Sequence, residues 1–216
     1  MDEYSEKRKR LVERLKKEIG LSEKVARAML EVPRHLFVPP EVRGEAYNDY
    51  PLLIGHGQTI SAPHMVAIMC ELLDLEEGDK VLEVGAGSGY HAAVVSRIVG
   101  ENGAVISVER IPELADMARK TLEALGYTNV KVVVGDGSIG YEPEAPYDKI
   151  YVTASAPRIP AKLLMQLKNG GRMVIPVGDF IQHLYVVDRD EYGQIKTRNW
   201  GAVRFVPLVG ENGFRE

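Results

Sequence analysis

The sequence predicts an α/β fold in which a doubly wound, mostly parallel sheet is preceded by N-terminal helices and followed by an antiparallel hairpin. Three observations predict it. Strand-like and helical runs alternate from residue 80 to residue 177, a glycine-rich turn follows the first of these strands, and two strand-like runs around a hairpin signal come late in the chain. Such alternation favours a parallel sheet with helices on both faces.

Length and composition indicate one globular domain. The chain has 216 residues, of which 45% are hydrophobic and 27% charged, and this suffices for a substantial core. We predict a single domain over 1–216, with N-terminal helices and a substrate or lid loop in 1–62, a cofactor-binding core in 63–178 and C-terminal strands in 179–216.

Charge and hydropathy exclude several classes of protein. The net charge of −4 argues against a duplex nucleic-acid binder. No apolar run approaches the ~18 residues of a membrane span, and the N-terminus lacks the apolar stretch of a signal peptide. We therefore expect a cytoplasmic protein that binds neither membrane nor nucleic acid.

Cysteine and histidine usage argues against a metal site. Cys70 is the single cysteine and lies in an apolar helical pattern, so we expect it to pack in the core. The 5 histidines lack the i, i+4 pairing of a helical zinc site. We predict no bound metal.

The N-terminal quarter contains two predicted helices and one irregular stretch. Glu6–Ile19 is amphipathic and Gly20 ends it, whereas Ser22 caps a second helix that stops before Pro33. Residues 33–61 show little periodicity, and their last part, Ile54–Ser61, is predicted to form a lid or a site-forming loop.

Regular alternation begins at residue 80, after a helix that starts near Pro63. The strand order of the last two strands stays open. The predicted elements, in chain order, are a strand at Val81–Val84, a helix over Ala92–Ile98, strands at Gly103–Val108, Lys131–Val134 and Tyr147–Thr153, a helix at Pro160–Leu167, and strands at Arg172–Val177, His183–Arg189 and Gln194–Phe205.

The glycine turn is the main functional signal. Gly85, Gly87 and Gly89 let the backbone turn sharply and let a ligand approach closely, and we expect N–H groups at the following helix start to face that ligand. Two other interpretations are a tight connection without a ligand and the dinucleotide motif G-x-G-x-x-G. The spacing here is G-x-G-x-G, and Tyr90 holds the place of the third glycine of the dinucleotide motif, which argues against NAD.

An acidic residue supports an adenosine ligand. Glu109 ends the second strand, 20 residues beyond Gly89. A carboxylate there can accept hydrogen bonds from both ribose hydroxyls. The alternative is a solvated carboxylate at a strand end.

Four segments carry a resemblance to a known family. Residues 57–65, 81–90, 135–137 and 206–208 resemble protein-L-isoaspartate O-methyltransferases, and the likeness runs from Val32 onward. The glycine turn is shared by many S-adenosylmethionine (SAM)-dependent methyltransferases, whereas residues 58–65 are specific. Ala86 stands where Thr or Ser is common, and Leu53 where proline is frequent.

The resemblance implies a Rossmann-like fold and a monomeric cytoplasmic repair enzyme. Such an enzyme would move a methyl group from SAM to the free α-carboxylate of isoaspartyl residues in proteins and peptides, leaving S-adenosylhomocysteine. The methyl ester speeds return to the succinimide and so to the normal aspartyl linkage. A carboxylate nucleophile is ionised at neutral pH, so no general base is required.

The resemblance also implies a set of cofactor-binding residues. Glu83 is a candidate for the SAM ammonium, with a structural hydrogen bond as the alternative. The other candidates are Gly85, Gly87, Ser88 and Gly89 near the methionine part, Glu109 with Arg110 at the ribose, Asp136 with Gly137 at adenine, Thr59 and Ile60 in the lid with Ser61 beside them, and Val209 from the C-terminal segment.

Ser61 is the leading active-site residue. By the resemblance its hydroxyl orients the incoming carboxylate, and the alternative is that it caps the next helix. His64 is interpreted as a hydrogen-bonding residue at the helix start. The substrate-binding candidates are Ser61, Pro63, His64, Val203, Val206 and Pro207, along an edge formed by Val203–Leu208 and the loop Leu53–Ser61.

Two rival functions remain open. The first is a SAM enzyme that acts on RNA or a small molecule, although Thr153–Pro157 lacks the Asn/Asp-Pro-Pro-aromatic pattern of many such enzymes. The second is a nicotinamide oxidoreductase or a noncatalytic nucleotide sensor.

Overall fold

A computed structural model describes residues 3–215, so residues 1, 2 and 216 of the predicted domain lie outside it. The strands are β1 (Leu52–Gly55), β2 (Gln58–Ile60), β3 (Lys80–Val84), β4 (Ala104–Glu109), β5 (Val130–Val134), β6 (Tyr147–Val152), β7 (Leu167–Val177), β8 (Gln182–Arg189) and β9 (Ile195–Val203). The α-helices are α1 (Glu3–Ile19), α2 (Glu23–Glu31), α3 (Pro63–Leu73), α4 (Tyr90–Val99), α5 (Pro112–Ala124) and α6 (Ala161–Gln166).

The central sheet has seven strands in the order β5-β4-β3-β6-β7-β8-β9. The first five in this order pair in parallel, whereas β7–β8 and β8–β9 are antiparallel. The predicted α/β class with its C-terminal hairpin is confirmed, and β8 proves to be the inner of the last two strands. Strand order reverses between β3 and β6, which places a crevice at their carboxyl ends.

Alternation along the strands divides the core into two layers. Val81, Val105 and Tyr151 face one side of the sheet, in the same cluster as the buried residues of α1 to α5. Leu82 and Val84 face the other side. Leu163 of α6 covers them there, together with Leu208 of the C-terminal segment, residues 204–215. Side chains at successive strand positions point to opposite faces, which explains this division.

The two N-terminal helices form as predicted and are tied to α3. Ser22 accepts a hydrogen bond from the Val25 N–H at 3.4 Å, which confirms it as the cap of α2. The Ser22 N–H and hydroxyl both donate to Glu71 Oε1 of α3, at 2.7 and 2.8 Å. Gly20, with φ +68°, ends α1 as expected.

The irregular stretch predicted at 33–61 contains more structure than its sequence indicates. It has 3-10 turns at Arg34–Leu36 and Pro40–Glu45, and β1 pairs with β2 as an antiparallel hairpin. His56 and Gly57 form its two-residue turn with φ +53° and +68°, the positive values that a type I′ turn requires. Ile54 and Ile60 bury one face, so the hairpin is anchored to the core and carries residues 58–61 to the crevice.

Candidate active site

A cleft opens where the order of the parallel strands reverses. It encloses about 780 Å³ of atom-free space, including solvent at its mouth. Its walls come from the hairpin, the glycine turn, the ends of β4 and β6, and the C-terminal segment. The lining includes residues 58–61, 83–88, 108–110 and 206–209, together with Val66, Tyr90, His91, Gly137, Thr153 and Ala154.

Thr153, which follows β6, fixes the glycine turn at Gly85. Gly85 has φ +96°, and a Cβ there would collide with Thr153 Oγ1, whose hydroxyl donates to the Gly85 carbonyl at 2.7 Å. Gly89 has a different role, because a Cβ there would press against Ala118 and Leu122 of α5. Gly85 and Gly87 thus border the cleft, whereas Gly89 packs the turn against a helix.

Most N–H groups of the turn already have acceptors within the protein. Gly85 and Ala86 donate to the Val108 carbonyl, at 2.8 and 3.2 Å, and Gly89 donates to the Ala86 carbonyl at 2.8 Å. The Gly87 N–H donates to Glu109 Oε2 at 2.9 Å. The turn itself uses these four N–H groups, and the expected orientation of the N–H groups at the start of α4 toward a ligand stays a prediction.

Glu109 is fixed at the wall of the cleft. Its Oε2 accepts from Gly87 and its Oε1 from the Ile111 N–H at 3.0 Å. A carboxylate oxygen has more than one lone pair, so both oxygens can accept again from a ligand. The position agrees with the predicted contact to ribose hydroxyls, and Arg110 also borders the cleft.

Glu83 lies at the buried end of the cleft. Burial raises the pKa of its carboxyl group from 4.5 to about 8, and the hydrogen bond from Ser107 partly offsets this rise. The Ser107 hydroxyl donates to Oε2, whereas Oε1 is buried without a hydrogen-bond partner among the described residues. Both proposed roles fit: Oε2 makes a structural hydrogen bond, and Oε1 leaves an acceptor for a ligand.

His91 and Tyr151 extend this buried polar cluster. The His91 ring lies 4.3 Å from the Tyr151 ring, and its Nε2 is 3.5 Å from Cys70 Sγ. Burial lowers the pKa of His91 to about 3, so the ring is neutral at physiological pH. Within the described chain, His91 Nδ1 and the Tyr151 hydroxyl have no hydrogen-bond partner. His91 is therefore unsuited to act as a base near neutrality.

Ser61 borders the cleft and does not cap α3. The helix has Ala62 at its N-cap with no side-chain bond, and Asp49 Oδ1 accepts from the His64 N–H at 2.8 Å instead. The alternative role predicted for Ser61 is wrong, because a distant residue satisfies the helix start. His64 Nδ1 also meets Asp49, at 2.9 Å, so its interpretation as a hydrogen-bonding residue at the helix start is confirmed.

Asp136 is tied to the C-terminal segment. Its Oδ1 accepts from the Ser138 N–H and its Oδ2 from the Glu211 N–H, both at 2.8 Å. The Asn212 N–H donates to Ser138 Oγ at 2.9 Å. Gly137 borders the cleft and Asp136 does not. The Asp136 carboxylate thus holds in place the segment that closes one wall.

The predicted site residues divide into two groups. Those away from the cleft wall are Gly89, Asp136, Pro63, His64 and Val203, and the others named above border it. Tyr90, His91 and Thr153 also border the cleft, and none of them was predicted as a site residue from the sequence. Thr153 follows β6 directly, so the rule that ligands bind at the carboxyl ends of parallel strands was the available signal.

The electrostatics of the cleft suit a ligand with donor groups. Glu83 and Glu109 supply acceptor oxygens, while four N–H groups of the turn are already used. A pyrophosphate would need those donors. In residues 3–215, no group of three or more His, Cys, Asp or Glu side chains is arranged to hold a metal ion. No described helix is long and apolar enough to cross a membrane.

Comparisons with known proteins agree with the motifs. The family model for protein-L-isoaspartate(D-aspartate) O-methyltransferase matches residues 6–213. Protein-L-isoaspartate O-methyltransferase 2 of Archaeoglobus fulgidus is 68% identical over 213 residues, covering 99% of this chain and 97% of the relative. The Methanopyrus kandleri protein-L-isoaspartate O-methyltransferase is 63% identical, covering 97% and 94%.

Solved structures give the same result. A protein-L-isoaspartate O-methyltransferase superposes with a TM-score of 0.88 at 35% identity, covering 95% of this chain and 67% of the other. A putative protein-L-isoaspartate O-methyltransferase from Plasmodium falciparum, in complex with S-adenosyl-L-homocysteine, superposes with a TM-score of 0.83 at 30% identity, covering 94% and 98%. The resemblance seen in the four sequence segments is confirmed.

Proposed function

The chain belongs to the protein-L-isoaspartate(D-aspartate) O-methyltransferase family, and from that premise we propose that it methylates the free α-carboxylate of L-isoaspartyl residues in damaged proteins and peptides. The methyl donor is SAM and the product is S-adenosylhomocysteine. One observation carries the proposal: the family-specific residues 58–61 form the wall of the same cleft as the glycine turn. Donor and acceptor sites therefore share one cavity.

The residues of the cleft fit SAM. The unpartnered Glu83 Oε1 suits the ammonium group, and Glu109 suits the two ribose hydroxyls. Gly85, Gly87 and Ser88 allow the methionine portion to lie close to the backbone. When bound, SAM supplies an electrophilic methyl group on a sulfonium centre.

Further residues complete the cofactor site. Gly137 is proposed to bind adenine with its N–H, and Asp136 supports it by fixing the turn and the C-terminal segment. Arg110 is assigned to the ribose side beside Glu109. The hairpin residues Thr59 and Ile60 and the C-terminal Val209 enclose the cofactor from the remaining sides.

Catalysis by this chain is mainly positioning. The substrate carboxylate has an ordinary pKa near ~3.5 to 4 and is ionised at neutral pH, so it needs no base. Ser61 donates its hydroxyl to one carboxylate oxygen and turns the other toward the methyl group. Reacting atoms held about 3–3.5 Å apart and in line react far faster than free partners. The neutral, buried His91 takes no proton.

The consequence for the substrate is repair. Esterification gives the carbonyl carbon a methoxy group, which leaves more readily than the oxygen of a carboxylate. The nitrogen of the following amide then attacks that carbon, methanol leaves, and the succinimide closes faster. Hydrolysis of that ring returns a fraction of the chains to the normal aspartyl linkage. The partners are isoaspartyl-containing proteins and peptides, and substrate contacts are assigned to Ser61, Val206 and Pro207 in the cleft, with Pro63, His64 and Val203 nearby.

We further propose that the protein acts as a monomer in the cytoplasm and binds no nucleic acid. The buried free thiol of Cys70 suits a reducing compartment, and the net charge of −4 disfavours nucleic acid. Size-exclusion chromatography with light scattering tests the oligomeric state, and a dimer would contradict it.

A repair assay tests the proposed function. An isoaspartyl peptide is incubated with the protein and SAM, and chromatography follows the succinimide and the aspartyl peptide over time. We expect both to appear only when protein and SAM are present together. An unchanged isoaspartyl peptide would refute the proposal, and methylation of RNA or a small molecule instead would favour the first rival. Calorimetry with SAM and with NAD tests the second rival. A nicotinamide oxidoreductase requires NAD binding, and a nucleotide sensor requires ligand binding without turnover.

A further inference from the structure

A second groove lies beside the cleft, between the β7–β8 turn and the end of β9 with the residues that follow it. Residues 179–182 form one side of it, residues 202–205 form the other, and Phe214 closes it. Pro207 borders both this groove and the cleft. The two therefore adjoin each other at this one residue.

The wall that separates them is fixed by hydrogen bonds. Gln182 binds the Phe205 backbone on both sides, with Oε1 accepting from its N–H at 2.6 Å and Nε2 donating to its carbonyl at 3.1 Å. The Ser155 N–H donates to the Val206 carbonyl and the Leu208 N–H to the Ser155 carbonyl, both at 2.8 Å. The groove is thus formed before any partner binds.

The outer side of the groove exposes two large apolar side chains in sequence. Phe180 is 98% exposed and Ile181 is 76% exposed. The turn that presents them is tight, because Gly178 has φ +131° and a Cβ there would strike the Ile181 carbonyl. Adjacent exposed apolar side chains beside a functional site are typical of a binding surface.

We propose that this groove binds the part of the substrate chain next to the isoaspartyl residue, and that Phe180 and Ile181 select an apolar side chain there. The inference rests on the proposed function. A polypeptide with one residue in the cleft continues over the adjoining surface, and the groove adjoins the cleft at Pro207. A flanking residue placed in the groove meets Phe180 and Ile181, where apolar contact favours an apolar side chain.

Substitution of the two exposed residues tests this assignment. The double variant Phe180→Ser/Ile181→Ser is compared with Met165→Ser, an apolar residue on α6 that is 73% exposed and lies away from both cavities. The substrates are isoaspartyl peptides with leucine or phenylalanine beside the isoaspartyl residue, on either side, and a matched peptide with glycine at those positions.

The expected result is specific to the flanking side chain. In the double variant the KM for the better apolar peptide should rise about tenfold with kcat unchanged, as partial loss of one apolar contact predicts. The KM of the double variant for the glycine peptide should stay at the wild-type value. Met165→Ser should keep the wild-type KM and kcat. Anisotropy of a labelled peptide on protein loaded with S-adenosylhomocysteine should show the same loss of affinity without turnover.

Two other results would overturn the assignment in different ways. If the double variant methylates all peptides with wild-type KM, the groove does not bind the flanking residue, whereas the proposed function stands. If the wild-type protein methylates none of the isoaspartyl peptides, the proposed function fails and the groove assignment with it. The single variant Phe180→Ser, with Tm checked, repeats the test if the double variant is unstable.

Discussion

Glu83 should make the stability of the cofactor-free protein fall as pH rises. It is fully buried at the centre of the sheet, and its register neighbours are Ser107 on β4 and Tyr151 on β6. Desolvation raises the pKa of its carboxyl group from 4.5 to about 8, Ser107 lowers it in part, and Glu109 raises it further. Nearby Cys70 is a buried thiol, and none of these groups is a cation.

The direction and size of the pH-dependent change in the free energy of unfolding follow from proton linkage at Glu83. Between pH 4.5 and about 8 the folded protein keeps a proton that the unfolded chain has lost. The contribution of Glu83 to the free energy of unfolding is therefore complete below pH 4.5 and is lost as pH rises to about 8. Each pKa unit is worth about 1.4 kcal/mol, so the loss is on the order of 5 kcal/mol.

Glu83→Gln tests this directly, because the amide has a similar shape and no charge. We expect the variant to match the wild type near pH 4.5 and to exceed its free energy of unfolding by a few kcal/mol, up to about 5, at pH 8. Urea unfolding of both proteins across this range measures the difference, in which all other titrating groups cancel. Glu142→Gln, the same change at an exposed position, is the matched control for the substitution itself.

The same variant should lose cofactor affinity. An ammonium beside Glu83 favours the ionised carboxylate, so SAM binding to the wild type near pH 7 should release close to one proton, measurable by calorimetry in buffers of different ionisation enthalpy. Glu83→Gln should bind SAM more weakly and release none. A stability difference that does not change with pH would refute the buried protonated carboxyl, and unchanged SAM affinity would refute its contact with the ammonium.

Three further substitutions probe other parts of the cleft. Ser61→Ala should lower kcat about ten- to a hundredfold, as loss of one oriented donor does. SAM affinity and Tm should stay unchanged, because Ser61 caps no helix. A wild-type rate would show that Ser61 takes no part in the mechanism. Glu109→Ala should weaken SAM binding at least about tenfold by calorimetry, since it also frees the Gly87 N–H, and wild-type affinity would contradict its ribose role. Gly85→Ala should destabilise the protein by about 1–3 kcal/mol in urea unfolding, because φ is +96° and Thr153 occupies the space; an unchanged midpoint would contradict the rigid turn.

Local patterns were sufficient to predict the parallel half of the fold. The apolar strand before Gly85 and the acidic residue that ends the next strand lie side by side in the structure because β3 and β4 are parallel neighbours. Their carboxyl ends therefore meet, and Gly87 and Glu109 become hydrogen-bonded. Sequence spacing within one βαβ unit carries this information.

Features that depend on distant residues could not be predicted in this way. Ser61 has the sequence pattern of a cap, but Asp49 accepts the hydrogen bond from the His64 N–H at the start of α3. Asp136 has the pattern of a ligand residue, but that pattern gives no sign that its carboxylate also accepts from the Glu211 N–H, 75 positions along the chain. The hairpin β1–β2 was missed because its strands have only four and three residues, too short for a periodic pattern to stand out.

The most direct test of the account uses two peptides that differ only in one linkage. Both are incubated with the protein and methyl-labelled SAM, one containing L-isoaspartate and the other L-aspartate at the same position. We predict label on the isoaspartyl peptide alone, because only there is a free α-carboxylate displaced by one backbone methylene to meet Ser61 and the glycine turn. Equal labelling of the two peptides, or label on neither, would contradict the account.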